Sequence, residues 1–169
     1  MSARHLFIIY GLDVLIVLLS IGAAATANVE RTREPFPRLQ LLMPGLLAFA
    51  GAMVLLSYPD IRDLADPGVV IVSTVGVLAG GCRGALMRMD SDHTLRRVRV
   101  WHGSDAAWAG WLMVLSAAVQ GSIERALGTE NPYEKAAEAV MLLAASYLLG
   151  RSIVSLLRAR ALAHHALKD

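Results

Sequence analysis

The sequence predicts an all-α integral membrane protein, a single five-helix bundle with a short basic hairpin between helices 3 and 4. Three observations predict it. Residues of the AVILMFWYC set make up 56% of the 169 residues, and they fall in long blocks. The Lys and Arg residues gather in alternate connections between those blocks. Two of the blocks open on an Asp-Pro or Asn-Pro dipeptide, which is N-cap and first-turn chemistry for a helix.

A bilayer core about 30 Å thick needs roughly 20 mostly apolar helical residues to cross it. Blocks of that kind lie at about 6–27, 39–58, 67–87, 105–123 and 132–157. They must be helices, because a segment in lipid has to satisfy its own backbone hydrogen bonds. The connections are too short for a separate folded domain, so residues 1–169 read as one transmembrane unit. Asp66-Pro67 and Asn131-Pro132 fix the starts of the third and fifth spans. Pro44-Gly45 lies inside the second span and predicts a kink there. Cleavage of the first span at Ala25-Thr26-Ala27 is disfavoured, since it would leave the following arginines on the wrong side.

Orientation follows from charge. Arg31, Arg33, Arg38, Arg83, Arg88, Arg96, Arg97, Arg99, Arg151, Arg158, Arg160 and Lys168 share one side, against Arg4, Arg62, Arg125 and Lys135 on the other. The positive-inside rule then puts the amino terminus outside and the carboxyl terminus in the cytoplasm of a bacterial-type inner membrane. Net charge is only +2, so nucleic acid is not an expected partner. Anionic headgroups are.

The third span carries Ser73, Gly76, Gly80 and Gly84 at spacings of three and four, which draws one smooth stripe along a helix. Such a stripe lets another helix approach closely, within the bundle or in a partner or second copy. After it, Arg97–Trp101 alternates charge and bulk with a two-residue period. Asp90-Ser91-Asp92 reads as the turn before that arm. The resulting hairpin offers Arg88, Arg96, Arg97, Arg99 and Trp101 to lipid headgroups or a protein partner. Trp101, Trp108 and Trp111 read as an interfacial aromatic belt.

Polar residues at membrane depth are costly and generally face the bundle interior. Asp13, Gln120 and Glu138 lie in the outer halves of their spans, and Tyr10 and Tyr147 are candidates to add hydroxyls to the same polar pocket. Arg83 and Arg151, near the inner boundary, are expected to snorkel to the headgroups. Cys82, the single cysteine, excludes an internal disulfide and reads as a small buried thiol.

No complete catalytic or cofactor signature is present. His5, His93, His102, His164 and His165 lie at ends, loops or the tail, which argues against haem held within the bundle. Asp90, Asp92, His93 and His102 match no metal-ligand spacing. The serines lack an elbow motif. No cofactor and no metal are therefore expected.

The stretch Gly76–Trp111, with its glycine-rich span, Arg83, Arg88, the arm Val98-Arg99-Val100-Trp101 and re-entry after Gly103-Ser104, resembles the small bacterial inner-membrane CcdC-like proteins. That resemblance covers about a fifth of the chain and implies an accessory role linked with cytochrome c biogenesis, with no catalytic residue to carry over. The expected function is thus a non-catalytic accessory, assembly or scaffold protein. A small transporter or channel subunit using Asp13, Gln120 and Glu138 is the alternative, and a lipid-acting membrane enzyme comes third.

Overall fold

The computed structural model describes residues 3–32, 34–57, 67–92, 95–101, 103–127 and 132–162. The chain is mainly helical, with α1 Ala3–Asn28, α2 Met43–Leu55, α3 Pro67–Leu86, α4 Ser104–Leu127 and α5 Pro132–Ala161. Three short strands accompany them: β1 Phe36–Pro37, β2 Met89–Asp92 and β3 Arg97–Val100. Pro67 and Pro132 do open α3 and α5; their expected caps, Asp66 and Asn131, lie outside the described residues.

Helix α5 is the axis of the bundle. It packs against α2, α3 and α4, while α1 closes the far side against α2 and α4. The shared core is built on small residues, among them Ala23, Ala27, Ala48, Ala52, Ala144 and Ala145, with Met113, Met141 and Leu148 filling the gaps. Small residues at the crossings make sense where the surroundings are as apolar as the core, because close van der Waals contact must then supply the attraction. A Cβ on Gly110 would sit 2.6 Å from the Ala24 Cα, and one on Gly45 would sit 2.8 Å from the Ser152 Cβ.

Among the described residues, four helical stretches are long and apolar enough to cross a membrane: Gly11–Arg31, Arg38–Leu55, Pro67–Leu86 and Lys135–Ala161. Helix α4 is outside that set, which covers the described residues alone. Yet its 24 residues extend roughly 36 Å at 1.5 Å per residue. It runs from the end of the bundle where α3 finishes to the end where α5 begins. It also turns Trp108, Trp111, Leu112, Leu115 and Val119 outward. Exposed apolar side chains occur on all five helices, including Leu18, Phe49, Leu78, Leu115 and Leu157. A surface of that kind is a liability in water and an ordinary one in lipid.

At the arginine-rich end the strands form a sheet of order β1-β3-β2, both pairs antiparallel. The two-residue period seats Val98 and Val100 inward with no exposure. They join Phe36, Leu41, Met87, Met89 and Ala159 in a second small core. Two connections and the end of α5 pool their residues here, so a folded cap exists although neither connection is long enough to make one alone.

Two sequence expectations are corrected. Asp90-Ser91-Asp92 is not the turn; it lies in β2, where Asp90 pairs with Arg99 and Asp92 with Arg97. The turn follows, started by the Leu95 amide donating to Asp92 Oδ1 at 3.0 Å. It includes Arg96 at φ 52, a left-handed conformation that ordinarily favours glycine. Pro44 does not kink a helix either. It occupies the first turn of α2, after the 3-10 turn Arg38–Leu41, where no intrahelical amide partner is lost.

The cap is fastened to α5 by a buried hydrogen bond from Ser91 Oγ to the Ala159 carbonyl, 2.8 Å. Ser91→Ala is expected to cost about 1 kcal/mol and to speed amide exchange in β2 and β3 relative to α5. Unchanged protection of those strands would contradict this attachment.

Candidate functional site

The most heavily engineered part of the molecule lies where the bundle meets the cap. Tyr147 and Arg151, one turn apart on α5, point to the ends of three other helices. Glu30 comes from the 3-10 turn after α1, Asp105 from the first turn of α4 and Arg83 from the last turn of α3. Glycines permit the approach. A Cβ on Gly103 would stand 2.7 Å from the Glu30 Cβ, and one on Gly84 2.8 Å from the Arg151 carbonyl oxygen.

Arg151 is wholly buried, and Glu30 is 2% exposed. The guanidinium donates through Nη1 to Glu30 Oε1 at 3.1 Å and through Nη2 to Glu30 Oε2 at 2.6 Å. Its Nε donates to Asp105 Oδ2 at 2.7 Å. The Tyr147 hydroxyl donates to the same Oδ2 at 2.8 Å, and Arg83 Nη2 to Oδ1 at 3.4 Å. Met87 Sδ lies 3.0 Å from Arg151 Nη2. Two guanidiniums face two carboxylates, so the formal charges cancel. A buried ion pair is tolerated only with good geometry and satisfied hydrogen bonds, and the forked pairing of Arg151 with Glu30 meets both conditions.

This corrects the snorkelling expectation for Arg151, which is held inside by two acids. It also moves Tyr147, whose hydroxyl belongs to this cap-end cluster and not to the pocket expected at the other end. Glu30 and Asp105 escaped sequence reasoning. Their signal was positional: acids bordering spans on the arginine-rich side, where most acids fall on the other.

Of the outer-half candidates, Gln120 and Glu138 do meet, Gln120 Nε2 donating to Glu138 Oε1 at a long 3.5 Å. Asp13 lines a separate cavity of about 270 Å3 between α1 and α4, with Val17, Ala117 and Ser122 among its neighbours. Gln120 and Glu138 are not in that lining, so the structure makes two features of the expected one. Tyr10 lies on α1, and its side chain is outside the described residues.

The glycine stripe is used internally. Cβ atoms on Gly76, Gly80 and Gly84 would strike α5 at Ser146 Oγ (2.2 Å), the Tyr147 carbonyl oxygen (2.0 Å) and the Arg151 carbonyl oxygen (2.8 Å). Ser73 is half-buried above them. Cys82, expected buried, is exposed on the other side of α3.

On the cap, Trp101 donates from Nε1 to Asp90 Oδ2 at 2.8 Å. The Arg88 guanidinium lies over its ring, 5.8 Å from the centroid. Arg97 and Arg99 are half-buried on β3, and Arg96 is exposed. Arg158 turns back to donate to the Met87 and Gly84 carbonyls. Trp108 and Trp111 are exposed on α4. His5, His93, His102, His164 and His165 lie outside the described side chains.

No family model, curated protein or solved structure gives a significant match to this chain.

Proposed function

We propose that this chain is a non-catalytic accessory or assembly protein of a bacterial-type inner membrane. All five helices cross the bilayer, the amino terminus faces out, and the arginine-rich cap lies at the cytosolic headgroup layer. One observation supports the reading above others. The charged groups turned into the bundle at the cap end bond one another in a charge-balanced network with Arg151 and Glu30 buried at its heart, whereas further arginines are displayed on a small folded platform. A reacting site would instead want an acid, base or nucleophile with an open face. The resemblance of Gly76–Trp111 to CcdC-like proteins agrees with an accessory role.

The glycine stripe is occupied by α5, so a partner is met through the cap or through the outward face of α3. Purification in mild detergent from native membranes is expected to recover a stoichiometric membrane partner or a stable homo-oligomer. An isolated monomer in native membranes would contradict the proposal.

A second reading, a small transporter or channel subunit, is favoured by the Gln120–Glu138 contact and the Asp13 cavity. It expects Asp13→Asn and Glu138→Gln to abolish proton- or ion-dependent flux in liposomes without loss of folding. Normal flux in both variants removes it.

A further inference from the structure

A cleft of about 440 Å3 opens on the cap between the 3-10 turn after β1, the β2–β3 turn and the end of α5. Arg38, Arg96 and Arg160 line it together with Leu39, Leu95 and Leu156, and no acidic side chain among the described residues does. We propose that this cleft binds a phosphate group, carried by an anionic lipid headgroup or free in solution.

Three independent observations converge on an anion there. Guanidiniums from three separate elements share one cleft, an arrangement whose mutual repulsion is relieved by a counter-charge. The Nε and Nη2 atoms of Arg38 are shut off from solvent and have no hydrogen-bond partner among the described residues. Buried donors left unmade are expensive, and a turn of the Arg38 side chain toward an acceptor in the cleft recovers that cost. Arg96 keeps an arginine side chain on a left-handed backbone, held there by the Arg38 amide donating to its carbonyl at 3.0 Å. A non-glycine residue in that region is strained, and such strain concentrates at binding sites.

The fork of a guanidinium matches phosphate oxygens two at a time. The apolar side of the cleft adds direction. Leu39 and Leu95 are 63% and 53% exposed, which suits the glycerol and upper acyl region of a lipid better than a free ion. The cleft is separate from the central network, where every nitrogen of Arg151 already has a partner, and from Arg88, which lies over Trp101. The site relies on the membrane reading only for the lipid as source of the phosphate.

The test uses the full chain in phosphatidylcholine nanodiscs doped with phosphatidylglycerol, followed by extraction into neutral detergent and native mass spectrometry. The wild type is expected to retain phosphatidylglycerol, and Arg96→Gly and Arg160→Gln each to lower retention about tenfold, the loss of one charge-assisted contact. Arg96→Gly relaxes the backbone, so its lipid-free melting temperature should not fall; lost retention then cannot be blamed on unfolding. In a second arm, inorganic phosphate is added to delipidated protein. Stabilisation of the wild type and not of the variants assigns the site to free phosphate as well. Equal phosphatidylglycerol retention by wild type and both variants, with no difference in phosphate response, overturns the proposal. Equal retention with an equal phosphate response, alongside recovery of a membrane partner, would sink this site alone. Selective retention without any partner or oligomer would instead sink the accessory role.

Discussion

Arg151→Met should be the most damaging single substitution in the chain, destabilising the fold by about 3–5 kcal/mol. The methionine keeps the aliphatic stem, but it strands the Glu30 carboxylate, which is 2% exposed, without its counter-ion. The Tyr147–Asp105 bond and the Arg83 contact remain, so the damage centres on Glu30. The double variant Glu30→Gln with Arg151→Met should recover a substantial part of the loss, because the buried charge is then gone too. Thermal unfolding in detergent measures both. A double variant as unstable as, or less stable than, Arg151→Met would show that the pairing is not what Arg151 contributes.

Gly80→Ala is the second large effect. The added Cβ would lie 2.0 Å from the Tyr147 carbonyl oxygen and 2.9 Å from the Arg151 amide nitrogen. Both are backbone atoms of α5 and cannot swing aside. The α3–α5 contact must open, at a cost of about 3 kcal/mol or more. Because α3 packs mainly on α5, that opening also pulls Arg83 from Asp105. Gly81→Ala is the matched control. Its Cβ would meet only Val154 Cγ2 at 3.5 Å, an ordinary contact, and alanine is the better helix former by about 0.5–1 kcal/mol. Unfolding midpoints should therefore move in opposite directions for neighbouring glycines. Similar shifts would mean that the stripe is not the packing surface.

These two sites show what was legible in the chain. Gly76, Gly80 and Gly84 were readable because helical periodicity is a local property, and so were the apolar spans and the Pro-marked helix starts. Val98 and Val100 gave away a strand by their alternation. Beyond that reach the text was silent. Glu30 and Asp105 are 75 residues apart in sequence and meet only through Arg151, so no spacing rule relates them. Arg151 reads from the sequence as a headgroup residue, because snorkelling is the default for a lone arginine near a span end and its acids are invisible there. Tyr147 reads as part of the outer-half pocket for the same reason, its acceptor Asp105 being invisible too. The polar turn was displaced by a few residues since Asp and Ser suit turns in general, and cross-strand pairing with Arg97 and Arg99 decided against it. The third strand at Phe36–Pro37 is two residues long, too short to leave a period.

The most direct test of the account is the side of the membrane on which the cap lies. In a Cys82→Ser background, Arg88→Cys and Lys135→Cys each place one exposed thiol at opposite ends of the bundle. A membrane-impermeant maleimide applied to intact spheroplasts should label Lys135→Cys and spare Arg88→Cys, with the pattern reversed in inside-out vesicles. Labelling of Arg88→Cys from the outside, labelling of both thiols from one side, or recovery of the protein in the soluble fraction would contradict it.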